Sequence, residues 1–219
     1  MSDIEGLRAF YDSAVGESIF DVWERGGARG DSITPSTFSD SYRAHIGAVL
    51  RDRLGAPGSA SLLSIGCGNA VVEAELARAG YEVLAVDALD EAVRLAEGKG
   101  LRAVKADVAT WEPGRRWDVV YADGLLGHLY DAEAGLQPIL TRVRSWLAGP
   151  RGTLVVSNDA PKCGLDAEPA PGVPGFHWLS NGLLEAEAKR AGFDEVSSSA
   201  FVYERPISGP RERAIVVAA

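Results

Sequence analysis

An apolar run, Leu62-Leu63-Ser64-Ile65, stops at Gly66-Cys67-Gly68; a helix-forming stretch from Val71 to Ala79 follows, and a second apolar run from Tyr81 ends on Asp87. Strand, glycine turn, helix, strand, acid is the pattern that most restricts what this chain can fold into. Two glycines one residue apart let main chain approach a ligand with no Cβ in the way. The unpaired N–H groups that open the helix face the same crevice. Asp87 follows Gly68 by 19 positions, which sets a carboxylate at the tip of the neighbouring strand, placed to accept hydrogen bonds from a ribose diol. The segment therefore predicts a nucleoside-bearing small molecule as ligand. The pyrophosphate fingerprint G-x-G-x-x-G/A is incomplete, because position 71 is Val, so a dinucleotide such as NAD is the weaker reading.

Further segments follow in order. Leu101 to Val108 predicts a third strand ending in Asp107, and Trp117 to Gly124 a fourth ending near Asp123. Gly127-His128-Leu129 comes next, then a helix end, glycine turn and fifth strand over Leu147 to Val156, and a late helix closing on Ala191-Gly192-Phe193. As an ordered set these resemble the class I (Rossmann-like) S-adenosylmethionine (SAM)-dependent methyltransferases of small-molecule type, over about residues 45 to 219. The resemblance implies an α/β, doubly wound, mostly parallel seven-stranded sheet with an antiparallel edge strand. It implies an N-terminal helical lid over residues 1–54, ahead of a SAM-binding catalytic domain over 55–219, with SAM as co-substrate. It assigns cofactor contacts to Ser64, Gly66, Cys67 and Gly68, to Asp87 and Ala88, to Asp107 and Val108 beside the adenine amino group, and to Asp123, which faces the SAM ammonium or an acceptor. The chain departs from the family pattern at Ser64, where an acid is usual, and at Ala70, where glycine is usual. Ser64 brings a hydroxyl to the methionine end but no charge.

Each candidate has a plainer alternative. Asp87 also suits a helix N-cap, and Asp107 a turn. Asp123 weighs evenly against a solvated loop carboxylate. As a neutral imidazole, His128 could take a proton from an amine or hydroxyl; a core histidine bonded to a backbone carbonyl is the alternative. Tyr11 and Tyr42 lie in the N-terminal helices, where a ring face could meet the sulfonium through a cation–π contact worth roughly 0.5–2 kcal/mol, or simply pack. Catalytic candidates are thus His128, Asp123, Tyr11 and Tyr42. Packing is favoured for Trp23 and Trp178. Asn158-Asp159 after the fifth strand predicts a turn rather than a metal site, and no metal is expected.

Residues 3 to 25 carry helical spacing, with Ile4, Leu7, Ala14, Val22 and Trp23 among its apolar positions. Ser36 or Thr37 could cap a second helix running to Leu54. Residues 158 to 176 are rich in Pro and Gly with little periodicity, a long loop that predicts a functional segment or disorder. Glu195 to Arg205 and Arg213 to Ala218 predict the last two strands, with a turn over Pro206 to Pro210.

Of 219 residues, 46% are hydrophobic, enough to core one domain. A net charge of −9 opposes a nucleic-acid partner. No apolar stretch is long enough for a membrane span, the N-terminus lacks signal-peptide features, and two cysteines predict no disulfide. A cytoplasmic enzyme with a small-molecule substrate is expected, its oligomeric state open. The leading function is methyl transfer from SAM to an N or O nucleophile of a small metabolite. The alternatives are SAM-consuming cyclisation to a cyclic amino acid such as azetidine-2-carboxylate, aminocarboxypropyl transfer releasing methylthioadenosine, or SAM binding without catalysis.

Overall fold

The computed structural model describes Gly6, Phe10, Tyr11 and residues 17–219. Gly6, Phe10 and Tyr11 have helical backbone; Ile4, Leu7 and Ala14 of the expected first helix lie outside the described residues. Seven strands form one sheet: β1 (Ser61–Ile65), β2 (Glu82–Asp87), β3 (Arg102–Lys105), β4 (Val119–Asp123), β5 (Thr153–Asp159), β8 (Val196–Arg205) and β9 (Gly209–Ala218). Their spatial order is β3-β2-β1-β4-β5-β9-β8. The first five are parallel; β9 runs antiparallel to β5, and β8 completes a hairpin with it at the sheet edge.

β1 and β5 are buried along their whole length because helices cover both faces, which is why they read as unbroken apolar runs. Alternation along β1 sends Leu62 to one face and Leu63 to the other. On the Leu62 face lies α3 (Asp40–Leu54), which buries Ile46, Leu50 and Leu54. Each of these side chains contributes about 1.5–3 kcal/mol by leaving water. On the Leu63 face lie α7 (Gln137–Trp146) and α8 (Asn181–Arg190), packed through Leu140, Val143 and Leu184.

Where one helix is expected up to Leu54, the structure has two, α2 (Pro35–Phe38) and α3. Ser39 divides them. Its backbone is extended, and its Oγ accepts the Tyr42 N–H at 3.2 Å, capping α3. Short α1 (Ile19–Glu24) buries Ile19, Phe20 and Trp23 against Leu89 and Ala92 at the start of α5 (Asp90–Gly98). No helix follows β3: Asp107 lies two residues beyond the strand and opens a turn instead. Within the 158–176 stretch, Asn158 and Asp159 end β5 and residues Ala167–Pro169 form β6, which pairs with β7 (His177–Leu179) in a small hairpin; the rest is turn and irregular backbone. Asn158 and Asp159 are buried strand residues of β5, not the expected turn. β9 begins four residues earlier than expected, so Arg211 belongs to the strand and pairs with Tyr203. No helix among the described residues is long and apolar enough to cross a membrane.

Candidate functional site

The carboxyl ends of the parallel strands open into a cavity of about 620 Å³, within the range of roughly 300–1,000 Å³ usual for small-molecule sites. Its first wall is the turn after β1. Gly66 and Gly68 have φ of +64° and +54°, a region that costs non-glycine residues. A Cβ at Gly66 would sit 2.9 Å from Leu125 Cδ1, whereas at Gly68 nothing lies within 4 Å. Gly66 is thus needed for the turn itself, and the space at Gly68 is left to the cavity. Ala70 adopts the left-handed conformation, φ +53°, ahead of α4 (Val71–Arg78). It carries the strain that the usual glycine would avoid.

Asp87 ends β2, and its two oxygens accept the N–H groups of Gly68 (2.9 Å) and Leu89 (3.0 Å). It therefore fixes the glycine turn and the approach to α5 at once. Each carboxylate oxygen still has an accepting lone pair, so these backbone bonds leave room for a diol. Burial raises its pKa despite the backbone N–H groups of Gly68, Leu89 and Ala88, which favour the ion. Asp107 accepts the Ala109 N–H at 2.9 Å, making the turn foreseen as its plainer role, and also lines the cavity with Val108. Cys67 and Ala88 line the same end.

Ser64 does not line the cavity. Its Oγ donates to Glu73 Oε1 at 2.6 Å, and Glu73, on the first turn of α4, reaches the cavity wall while only 4% exposed. The helix thus sets a carboxylate against Ser64, the β1 position at which the family pattern has an acid. Burial pushes the Glu73 carboxyl up to about 7, against the Ser64 hydrogen bond that favours the ion. The sequence reading missed this residue. The one signal available is a glutamate set among apolar residues in Val71-Val72-Glu73-Ala74.

Asp123 lines the cavity at the end of β4 but is closely engaged. It forms an ion pair with Arg213 and accepts the Ser157 hydroxyl at 2.7 Å and the Tyr121 hydroxyl at 3.1 Å. Arg213 also pairs with Asp159 at 2.8 Å, and Asp159 in turn pairs with Arg205 and accepts from Tyr203 Oη at 2.8 Å. Burial pushes the Asp159 pKa up, but Arg213 and Arg205 outweigh it and hold the carboxyl below its usual value. Tyr42 is a correction to the expected lid contact. Its side chain is fully buried beneath the cavity, and its hydroxyl lies 2.8 Å from Ser157 Oγ and accepts Arg213 Nε–H at 3.0 Å. It orders the ion-pair layer and does not face a ligand.

His128 lies on α6 (Leu126–Leu129) and lines the cavity. Its Nε2 is 2.9 Å from Tyr11 Oη, and its ring packs edge-on to Phe176 at 4.7 Å. His128 thus takes the pocket position, and its ring partner is a tyrosine from the N-terminal segment, not the backbone carbonyl of the plainer alternative. Burial lowers the His128 pKa to about 4, and burial with the nearby Asp87 charge raises that of Tyr11, so both are neutral at pH 7. Tyr11 also packs against Phe20 and Trp23. Asp31 also lines the cavity and accepts the Ile207 and Ser208 N–H groups at 3.1 Å, tying the chain before α2 to the β8–β9 turn.

Glycine turn, strand-end acid and sheet order together define a Rossmann-like methyltransferase fold. A family model described as methyltransferase domain matches residues 40–198, and the chain belongs to that family of SAM-dependent transferases. It is 44% identical over 217 residues to a tabtoxin biosynthesis enzyme of Pseudomonas amygdali pv. tabaci, covering 96% of this chain and 83% of the relative. Among solved structures it is similar to a magnesium protoporphyrin IX methyltransferase of Synechocystis PCC 6803 with bound S-adenosylhomocysteine, with TM-score 0.71, 19% identity, and 99% of each chain covered. It is also similar to the Burkholderia thailandensis 1,6-didemethyltoxoflavin-N1-methyltransferase, with TM-score 0.66, 22% identity, and 83% of this chain and 79% of that one covered.

Proposed function

We propose that the protein transfers the methyl group of SAM to a nitrogen of a small metabolite. The carrying observation is one continuous cavity that runs from the Gly68–Asp87 pair past Asp123 to His128. In this reading Asp87 holds the ribose diol, Asp107 and Val108 border the adenine, and Glu73 receives the ammonium of the methionine end. SAM supplies an already activated methyl carbon: the nucleophile's lone pair forms the new bond while the C–S pair returns to sulfur, leaving a neutral thioether. The protein then has to hold the acceptor about 3 Å from that carbon, in line, with water excluded.

The state of His128 favours nitrogen over oxygen. A histidine with a pKa of about 4 is too weak a base to ionise a hydroxyl, whereas an amine attacks through its neutral form, having given up its ammonium proton to water, and the methylated ammonium loses its proton to water afterwards. His128 and Tyr11 instead orient the acceptor with neutral hydrogen bonds, and the N-terminal segment that carries Tyr11 acts as a lid. A role in small-molecule biosynthesis is also supported by the tabtoxin-related relative.

Incubation with SAM, alone and then with a pool of small amines, tests this reading through the nucleoside released. S-adenosylhomocysteine appearing only with the pool supports methyl transfer. Methylthioadenosine formed above the no-enzyme background would replace it with cyclisation or aminocarboxypropyl transfer. Binding without any turnover would leave a non-catalytic SAM protein.

A further inference from the structure

Three arginines, Arg205, Arg211 and Arg213, line the cavity from the β8–β9 hairpin. Arg205 and Arg213 are neutralised by Asp159, Asp31 and Asp123. Arg211 is 2% exposed, yet among the described residues it has no carboxylate within ion-pair distance. One of its five donors reaches Ala160 O at 3.3 Å, and its buried Nε–H has no partner. One face of the guanidinium lies over the Trp178 ring at 3.8 Å, which holds the group flat and leaves its donor edge as the unsatisfied part. A buried cation without a counter-charge is costly unless a ligand completes it. A planar fork of N–H donors is matched by a carboxylate.

Resting on the methyl-transfer reading, we infer that Arg211 is the receptor for a carboxylate on the acceptor, so that the substrate class is a small amine carrying a free carboxylate. The sheet order assigns the group to the acceptor rather than to SAM. Asp87 ends β2 and Arg211 lies on β9, four strand spacings away, or ~19 Å at about 4.8 Å each. The neighbours of Arg211 are the Trp178 ring on β7 and the Ala160 carbonyl beyond β5, not the glycine turn.

The test uses the twenty L-amino acids and their carboxamides as probes, titrated into the full chain saturated with S-adenosylhomocysteine. At least one acid is expected to bind at least tenfold more tightly than its amide. Arg211→Met should bring the acid down to the amide's level while S-adenosylhomocysteine affinity stays within twofold. Arg211→Lys, which keeps the charge without the planar fork, should retain part of the preference and guards against a folding defect, monitored by circular dichroism. Acids binding no better than amides, or not at all, overturn the inference. So does a tenfold loss of S-adenosylhomocysteine affinity in a folded Arg211→Met, which would hand the carboxylate to the methionine end of SAM. Failure of S-adenosylhomocysteine to bind the unaltered protein would sink the methyl-transfer reading instead, and the acid–amide comparison made without it still decides the carboxylate site.

Discussion

Replacing Glu73 by Gln should separate ligand affinity from fold stability with opposite signs. Its carboxyl is buried, hydrogen-bonded to Ser64, and titrates at about 7. If only the ionised form receives the ammonium, affinity follows its ionised fraction. That fraction rises from about 0.1 at pH 6 to about 0.75 at pH 7.5, so S-adenosylhomocysteine should bind about eightfold more tightly at the higher pH. Above about pH 8 a free α-amino group itself deprotonates, so the comparison stays below that. Glu73→Gln should abolish this slope and weaken binding at pH 7.5 by about 1.5–3 kcal/mol, the usual worth of a charge-assisted hydrogen bond. The ligand-free fold should respond in the other direction. A carboxyl whose pKa rises on folding costs stability progressively as pH climbs from the unfolded to the folded value. Glu73→Gln should therefore be more stable at pH 7.5, by about 1–3 kcal/mol, and melt at a higher temperature. Calorimetric titration at both pH values checks affinity, and methylthioadenosine, which lacks the amino group, is the control expected to show no slope. A flat profile for S-adenosylhomocysteine, or equal affinity in the variant, would refute the assignment of Glu73 to the ammonium.

Asp87→Ala should weaken S-adenosylhomocysteine by about 1–3 kcal/mol by titration calorimetry, through lost ribose contacts and a loosened glycine turn. His128→Ala and Tyr11→Phe should lower turnover far more than cofactor affinity once an acceptor is in hand; equal effects on both would make the pair structural. Because folding depresses the His128 pKa to about 4, the unfolded chain takes up this proton first as pH falls below about 6.5. His128 thus removes up to about 3 kcal/mol of stability between about pH 6.5 and 4, and His128→Phe should restore that amount at the acid end of the stability–pH curve. Asp159→Asn leaves Arg213 and Arg205 short of a buried counter-charge and should cost about 3–5 kcal/mol in denaturant unfolding.

The opposed signs of Glu73 and His128 bear on how the apo protein responds to acid. Between about pH 4.5 and 6.5 Glu73 favours the fold as pH drops while His128 disfavours it, by comparable amounts. Their contributions offset, so the unaltered protein should show less acid sensitivity over that span than either single variant. Glu73→Gln should steepen the loss of stability on acidification, and His128→Phe should reverse its sign. Both groups line the same cavity, and the compensation comes from burying one acid and one base in the same site.

Why the sheet was legible and the polar layer was not follows from what periodicity records. β1, β4 and β5 are buried on both faces, so their composition announces them, and Gly66, Gly68 and Asp87 are demanded by backbone geometry at fixed places in the unit. Tyr42 was misplaced because helical spacing puts it on the inner face of α3 without saying whether that face meets a ligand or the underside of the sheet. Glu73 was hidden for a similar reason, since an acid in an amphipathic helix looks solvated until its turn is found against the cavity. The β9 arginines were readable in principle: Arg211 and Arg213 alternate with exposed Pro210 and Glu212, a period-two pattern that continues into Ile215. Starting the strand at Arg213, after a turn ending at Pro210, leaves Arg211 in neither element. Even with the strand placed correctly, the sequence makes the two arginines equivalent, one residue apart on the same face. What separates them is three-dimensional partner counting. Arg213 meets Asp123 and Asp159, and its charge is spent within the protein. Arg211 meets a tryptophan face and a single carbonyl, and the unused donors are what give that end of the cavity its preference for an anion.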